Sequence, residues 1–158
     1  MNSSTIPAPT YKPCTCLQLR KLTRTVSRLY DQHLAKAGLK TTQFSLLRHI
    51  IYQALPMAQL ATLLCTERTT LTRNLRPLID AGWVVLLPGS DPRQRIVTIT
   101  DAGRDKARAA KTAWRTAQDE IEKLLGQDTI QALHTVIDFS LERLDGLDDD
   151  NKGDDDGA

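Results

Sequence analysis

Apolar positions recur along most of this chain at the three- and four-residue spacings of amphipathic helices, interrupted by one short stretch of period two. Leu19, Leu22, Val26, Leu29, Tyr30 and His33 mark a first helix over about residues 14–36, ended by Gly38. A second helix is expected over about 42–54. Ala58–Leu64 reads as a short helix with Leu60, Leu63 and Leu64 inward, and Ala61 is small where two helices cross. Over residues 66–81, Leu71, Leu75, Leu78 and Ile79 fall within one quadrant of a wheel drawn at about 100° per residue. Thr66 is placed as its N-cap, with Glu67 in the first turn, and Gly82 as the residue that ends it. Pro77, lacking a backbone donor, predicts a bend. Trp83–Leu87 is β-prone, and Ile96–Thr100 alternates apolar and hydroxyl residues. Pro88, Gly89, Asp91 and Pro92 between them punctuate a hairpin turn. Thr100 caps a long helix over 101–125, in which Ala107, Ala110, Trp114, Ala117, Ile121 and Leu124 repeat with heptad spacing. After Gly126, the series Ile130, Leu133, Ile137, Leu141 and Leu144 makes a last amphipathic helix.

The polar face of the 66–81 helix is unusual. Thr69, Arg73 and Arg76 lie opposite the leucines, flanked by Thr70 and Thr72, with Arg68 near the apolar edge. A merely solvated face would be filled with Lys and Glu. Threonine hydroxyls reach bases or phosphates, and arginine can chelate a guanine edge. The preceding short helix and the tight turn at Cys65 complete a helix-turn-helix, and the hairpin with Arg93 and Arg95 at or near its tip is the wing. One helix in the major groove of double-stranded DNA, with a basic wing in the next groove, is the reading that follows. The fold class is mostly α: a winged helix-turn-helix with an α/β wing, its N- and C-terminal helices forming a dimerisation domain. Its parts are a flexible arm (1–13), dimerisation helices (14–36 and 101–145), the DNA-binding domain (37–100) and an acidic disordered tail (146–158). Helices from both chain ends have little to cover them in so small a monomer, so a homodimer is expected.

Charge sharpens the picture. The chain carries 21 basic and 19 acidic residues, net +2. Residues 148–158 hold six Asp and one Lys, which leaves 20 basic against 13 acidic in residues 1–147, net +7. A basic body suits a phosphate partner. The acidic tail reads as a solubilising run, or as a competitor with DNA for the basic surface. The apolar runs are too short to span a membrane, and residues 1–13 have no signal core, so neither a membrane partner nor secretion is expected.

These residues resemble the MarR family of winged helix-turn-helix repressors. The matching pieces are Glu67-Arg-Thr-Thr-Leu-Thr-Arg-Asn-Leu75, Leu78-Ile-Asp-Ala-Gly82, Asp91-x-Arg93, Val97-x-Ile-Thr-x-x-Gly103 and Gly38-Leu39-x-x-Thr42-Gln-Phe44, within a resemblance covering about residues 14–145. The resemblance implies a homodimer on a near-palindromic operator, with release by a ligand or an oxidant. It also implies that Arg93 enters the minor groove and that Asp91 orients it.

Three cysteines, an odd number, fit reduced thiols in a cytoplasm. Cys14-Thr-Cys16-Leu-Gln-Leu19 opens the first helix, where a thiol can be activated. The peroxide-sensing branch of the family is similar here: Cys16 matches its reactive cysteine and Tyr30 one of two supporting tyrosines. This chain departs from it at Thr41, in place of the second tyrosine, and at Leu17, in place of an aromatic. Structural cysteines, with Cys65 a small turn residue, are the alternative reading. A third is a small aromatic or anionic ligand in a pocket lined by Arg20, Tyr30, Phe44 and Trp114. No phosphate-cradling glycine loop, metal-ligand spacing or nucleophile–base pattern points to an enzyme, and no cofactor or metal is expected.

Overall fold

In the computed structural model, residues 12–150 are described, with side chains to residue 144. The elements run α1 (Thr15–Leu34), a 3₁₀ turn (Ala35–Ala37), α2 (Thr41–Ile50), β1 (Leu55–Pro56), α3 (Met57–Leu63), α4 (Arg68–Asp80), β2 (Val84–Pro88), β3 (Arg95–Ile99), α5 (Asp101–Leu125) and α6 (Gln127–Asp150). The chain is mostly helical with one small antiparallel sheet of order β1-β3-β2. The hairpin register pairs Val84 with Ile99 and Pro88 with Arg95, while β1 adds Leu55 opposite Val97.

Two compact units divide the chain, one ending at Ala117 and the other beginning at Gln118. The core of the first unit gathers Leu34, Phe44, Leu47, Ile50, Leu60, Leu71, Leu75, Leu78, Val84 and Val97, together with Ala107 and Ala110 of α5. The leading part of the heptad repeat on α5 is therefore spent inside one chain, because the winged lobe needs a lid on its α2 side. In the second unit Ile121 and Ile130 are buried, whereas Leu124 is two-thirds exposed.

Several boundaries differ from the sequence expectation, each for a physical reason. α2 stops at Ile50 rather than 54, because Leu55 must extend to pair with Val97 and the residue before a proline resists helical geometry. Seven-residue α3 buries a single row, Met57, Leu60 and Ala61, so Leu63 lies off it and is half exposed instead of inward. Thr66 is not the cap of α4. Its N–H reaches back to Ala61 O (3.0 Å) while Cys65 N–H reaches Thr62 O (3.0 Å), the paired bonds that close a helix C-terminus. Thr66 thus ends α3, and Glu67 leads into α4 without a side-chain cap. α4 continues through Pro77 to Asp80. α6 reaches Asp150, so residues 146–150 are helical where an irregular tail was expected; the spacing of Ile137, Leu141, Leu144 and Leu147 carries the helical pattern on. The rest of the expected tail, and residues 1–11 of the expected arm, lie outside the described residues.

The turn between α3 and α4 puts Cys65 at φ +45°, left-handed for a residue with a Cβ. Gly38 and Gly82 hold the equivalent position after the 3₁₀ turn and after α4, at φ +67° and +74°.

Candidate functional site

α4 presents its leucines to the core and Arg68, Thr69, Thr72, Arg73 and Arg76 to solvent; Thr70 is half-buried. Thr72 already donates its hydroxyl to Arg68 O at 2.9 Å, so only its oxygen lone pairs face outward. Arg76 lies against Asp80 at 3.0 Å in an exposed pair, which leaves it steered but not sequestered. Arg73, central on the face, has no ion pair among the described residues.

The wing is built to display its tip. Asp91 Oδ1 accepts the backbone N–H of Arg93 at 2.7 Å, and Gln94 N–H donates to Asp91 O at 2.9 Å. Asp91 therefore fixes the main chain of the turn, and the Arg93 guanidinium is left exposed. Arg95 behaves differently: its Nη1 donates to Pro92 O (2.9 Å) and Gln94 O (3.1 Å), so it braces the turn from within.

The wing root is fastened to α5. Thr100 N–H donates to Trp83 O at 3.0 Å, its hydroxyl donates to Gly82 O at 2.7 Å, and Gly103 N–H donates to the same hydroxyl at 3.0 Å. Thr100 thus caps α5 and ties it to the end of α4. Lys106 adds a cation over the Trp83 ring at 4.6 Å.

The candidate pocket residues are only partly brought together. Phe44 and Trp114 stack at 6.2 Å and line a cavity of about 390 Å³. Tyr30 packs against the core and Arg20 is exposed on α1, neither of them lining it. The sequence reading missed the cavity's charged members, Arg48, Arg104, Arg108 and Lys111. Three of these repeat at i, i+4 and i+7 on α5, a legible signal, but their meeting with Arg48 depends on a contact across more than fifty residues.

Cys14 and Cys16 are both exposed at the start of α1, and Cys65 is exposed in its turn. Cys16 and Tyr30 are fourteen residues apart on one helix, about 21 Å at 1.5 Å per residue, so they do not meet within a chain. Thr41 is committed elsewhere: its N–H and its hydroxyl both donate to Asp31 Oδ1 at 2.7 Å, pinning the start of α2 to α1.

No family model matches the chain. An uncharacterized HTH-type transcriptional regulator of Bacillus subtilis, YwoH, is 29% identical over 91 residues, 56% of this chain and 66% of that regulator, just under two thirds of its length. E. coli MarR, in a mutant form complexed with operator DNA, has a similar fold, with TM-score 0.72, 23% identity and coverage of 80% of this chain and 92% of that one. The M. tuberculosis transcriptional regulator MosR, in complex with DNA, is 32% identical with TM-score 0.73, covering 84% of this chain and 98% of MosR. The chain belongs to the MarR family of transcriptional regulators. As a MarR-family regulator it has the winged helix-turn-helix fold, and no described helix is long and apolar enough to cross a membrane.

Proposed function

We propose that this MarR-family regulator is a cytoplasmic homodimeric repressor that reads a near-palindromic operator in double-stranded DNA and leaves it when a small ligand binds. The observation that carries the reading is the shared exposure of Arg73 with Thr69 on α4 and of Arg93 on the wing, two cationic points on one lobe. Thr69, Thr70, Thr72 and Arg73 take the base-reading role, Arg68 and Arg76 the backbone, and Arg93 the minor groove with Arg95 and Asp91 shaping the tip. MosR and E. coli MarR, which share this fold, are both found in complex with DNA, which supports DNA as the partner.

Dimerisation is supported by uncovered apolar faces at both chain ends. Leu17, Leu19 and Leu22 on α1 and Val136, Ile137, Phe139, Leu141 and Leu144 on α6 are exposed in the single chain. Sedimentation equilibrium at micromolar concentration tests this: a two-chain mass supports it, and a monomer that binds operator contradicts it. A nonspecific architectural binder is the rival, and it predicts equal affinity for operator and random duplex at fixed salt.

A second reading of the release step uses Cys16 with Cys14. Their exposure at the start of α1 favours access by peroxide, while Thr41, with its hydroxyl donated to Asp31, stands where the second supporting tyrosine of the peroxide-sensing branch would be. Operator release by organic hydroperoxide that is lost in Cys16→Ser distinguishes it from ligand release.

A further inference from the structure

α2 is tied at both ends by a charged side chain from another helix. At its start, one carboxylate oxygen of Asp31 on α1 accepts both the Thr41 N–H and the Thr41 hydroxyl, each at 2.7 Å. Just past its end, Arg104 of α5 donates to Ile51 O. α2 in turn packs against α4, the helix that carries Thr69 and Arg73. The first 66 residues contain eight lysines and arginines and a single acid, Asp31. That acid is half-buried and is spent on Thr41.

The two bonds span the joint between α1 and α2. There the chain makes its 3₁₀ turn (Ala35–Ala37) and passes through Gly38 at φ +67°. Short stretches at the ends of elements are where hinges absorb backbone rotation. Leu34 is fully buried and Tyr30 packs against the core, so apolar contacts already hold α1 to the lobe. Those contacts are non-directional and fix a distance better than an angle. Hydrogen bonds are directional, and those to an ionised carboxylate are short and strong. Asp31 and Thr41 also border one cavity, of about 430 Å³, with Asn74 of α4.

We propose that Asp31 is a positioning residue for operator recognition: through Thr41 it sets the angle of the winged lobe on α1, and thereby the spacing of the two half-sites that a dimer reads. It acts through α2 on the direction of α4 and takes no base or phosphate itself. The proposal deepens the twofold reading and rests on it, since α1 carries part of the uncovered face assigned to the second copy.

Anisotropy titrations at fixed salt test it, on a site selected by the parent from random-sequence duplex and on derivatives with one base pair added or removed between the half-sites. One base pair turns a half-site by about 34–36° and shifts it by about 3.4 Å. The parent should lose roughly tenfold or more in affinity at the altered spacings, the scale of one mismatched base pair. Asp31→Ala should bind the selected site less tightly but lose less than about threefold between spacings, because a lobe free to turn accepts each of them. Thr41→Val, which keeps the N–H bond and loses the hydroxyl bond, should fall between the two. Asp31→Asn, which keeps an oxygen acceptor, should stay near the parent. A merely structural role would lower affinity by the same factor at every spacing. Spacing discrimination retained in Asp31→Ala, or retained in Thr41→Val if Asp31→Ala does not fold, overturns the proposal. Equal loss of discrimination in Asp31→Asn and Asp31→Ala also overturns it. A parent indifferent to spacing contradicts the twofold reading, and the proposal falls with it; a spacing-sensitive parent matched by Asp31→Ala contradicts the proposal alone.

Discussion

Replacing Gly103 by alanine sets two forces against each other at the wing root. Alanine favours a helix over glycine by about 1 kcal/mol, so propensity alone predicts a more stable protein. The structure predicts the reverse. A Cβ on Gly103 would lie 2.1 Å from the Trp83 carbonyl oxygen and 2.8 Å from Ile99 Cγ1. Carbon and carbonyl oxygen ordinarily meet at about 3.3 Å or more, so the start of α5 must retreat by roughly 1 Å. That carbonyl accepts Thr100 N–H at 3.0 Å, and Gly103 N–H holds the Thr100 hydroxyl at 3.0 Å, so the retreat strains the cap as well. Overpacking costs about 1–3 kcal/mol and a weakened hydrogen bond about 1. After subtracting the propensity gain, Gly103→Ala should lose about 1–3 kcal/mol. At roughly 2–4 °C per kcal/mol for a chain of this size, Tm should fall by roughly 2–12 °C. Thermal circular dichroism at matched protein concentration measures it, because subunit association makes Tm concentration-dependent. A Tm equal to or above that of the parent refutes the close approach of α5 to the wing root.

Three further outcomes are expected. Arg73→Ala should weaken operator binding by about 1–3 kcal/mol and relax preference at one base pair per half-site, measured by anisotropy on a set of variant sites; a uniform loss on all DNA would make Arg73 a phosphate contact. Arg93→Ala should lower affinity with little change in base preference, and Asp91→Ala should do so less, because Asp91 holds the Arg93 N–H at 2.7 Å and leaves the guanidinium alone; unchanged binding by Arg93→Ala removes the wing from the account. If Cys16 senses peroxide, gel-shift titration with an organic hydroperoxide should release the parent and Cys65→Ser but not Cys16→Ser, and retention of all of them at doses that oxidise a free thiol discards the switch.

The helical periodicity of this chain was legible wherever an element was long enough to show it. The 101–125 helix coincides with α5, and the leucines of α4 are buried as the wheel places them. The wing was readable from its period-two strand and turn residues. β1 was not, because two residues carry no period; its existence depends on Val97, forty residues away. The role of Thr66 was hidden for a related reason. A threonine before a leucine stripe looks like a cap, yet the C-terminal closure of α3 claims its N–H first. The glycine in the Val97–Gly103 segment was visible as a motif, but its physical reason, the Trp83 carbonyl, needs the fold. At the site, the displayed face of α4 and the wing tip followed from sequence, whereas the basic cavity did not. Phe44 and Trp114 were candidates, but the seam reading assigned the α5 alanines beside Trp114 to a partner when Ala107 and Ala110 pack within the lobe.

Everything proposed for α4 and the wing depends on sequence-specific recognition of DNA by a twofold protein. Footprinting on the DNA upstream of the protein's own coding region, with titrated random duplex as competitor at fixed salt, tests it most directly. A twofold reader should protect a near-palindromic site whose two half-sites lie one helical turn apart, about 10 base pairs, and should resist at least a thousandfold excess of competitor binding sites. Diffuse protection that random duplex removes in proportion to its concentration would contradict it.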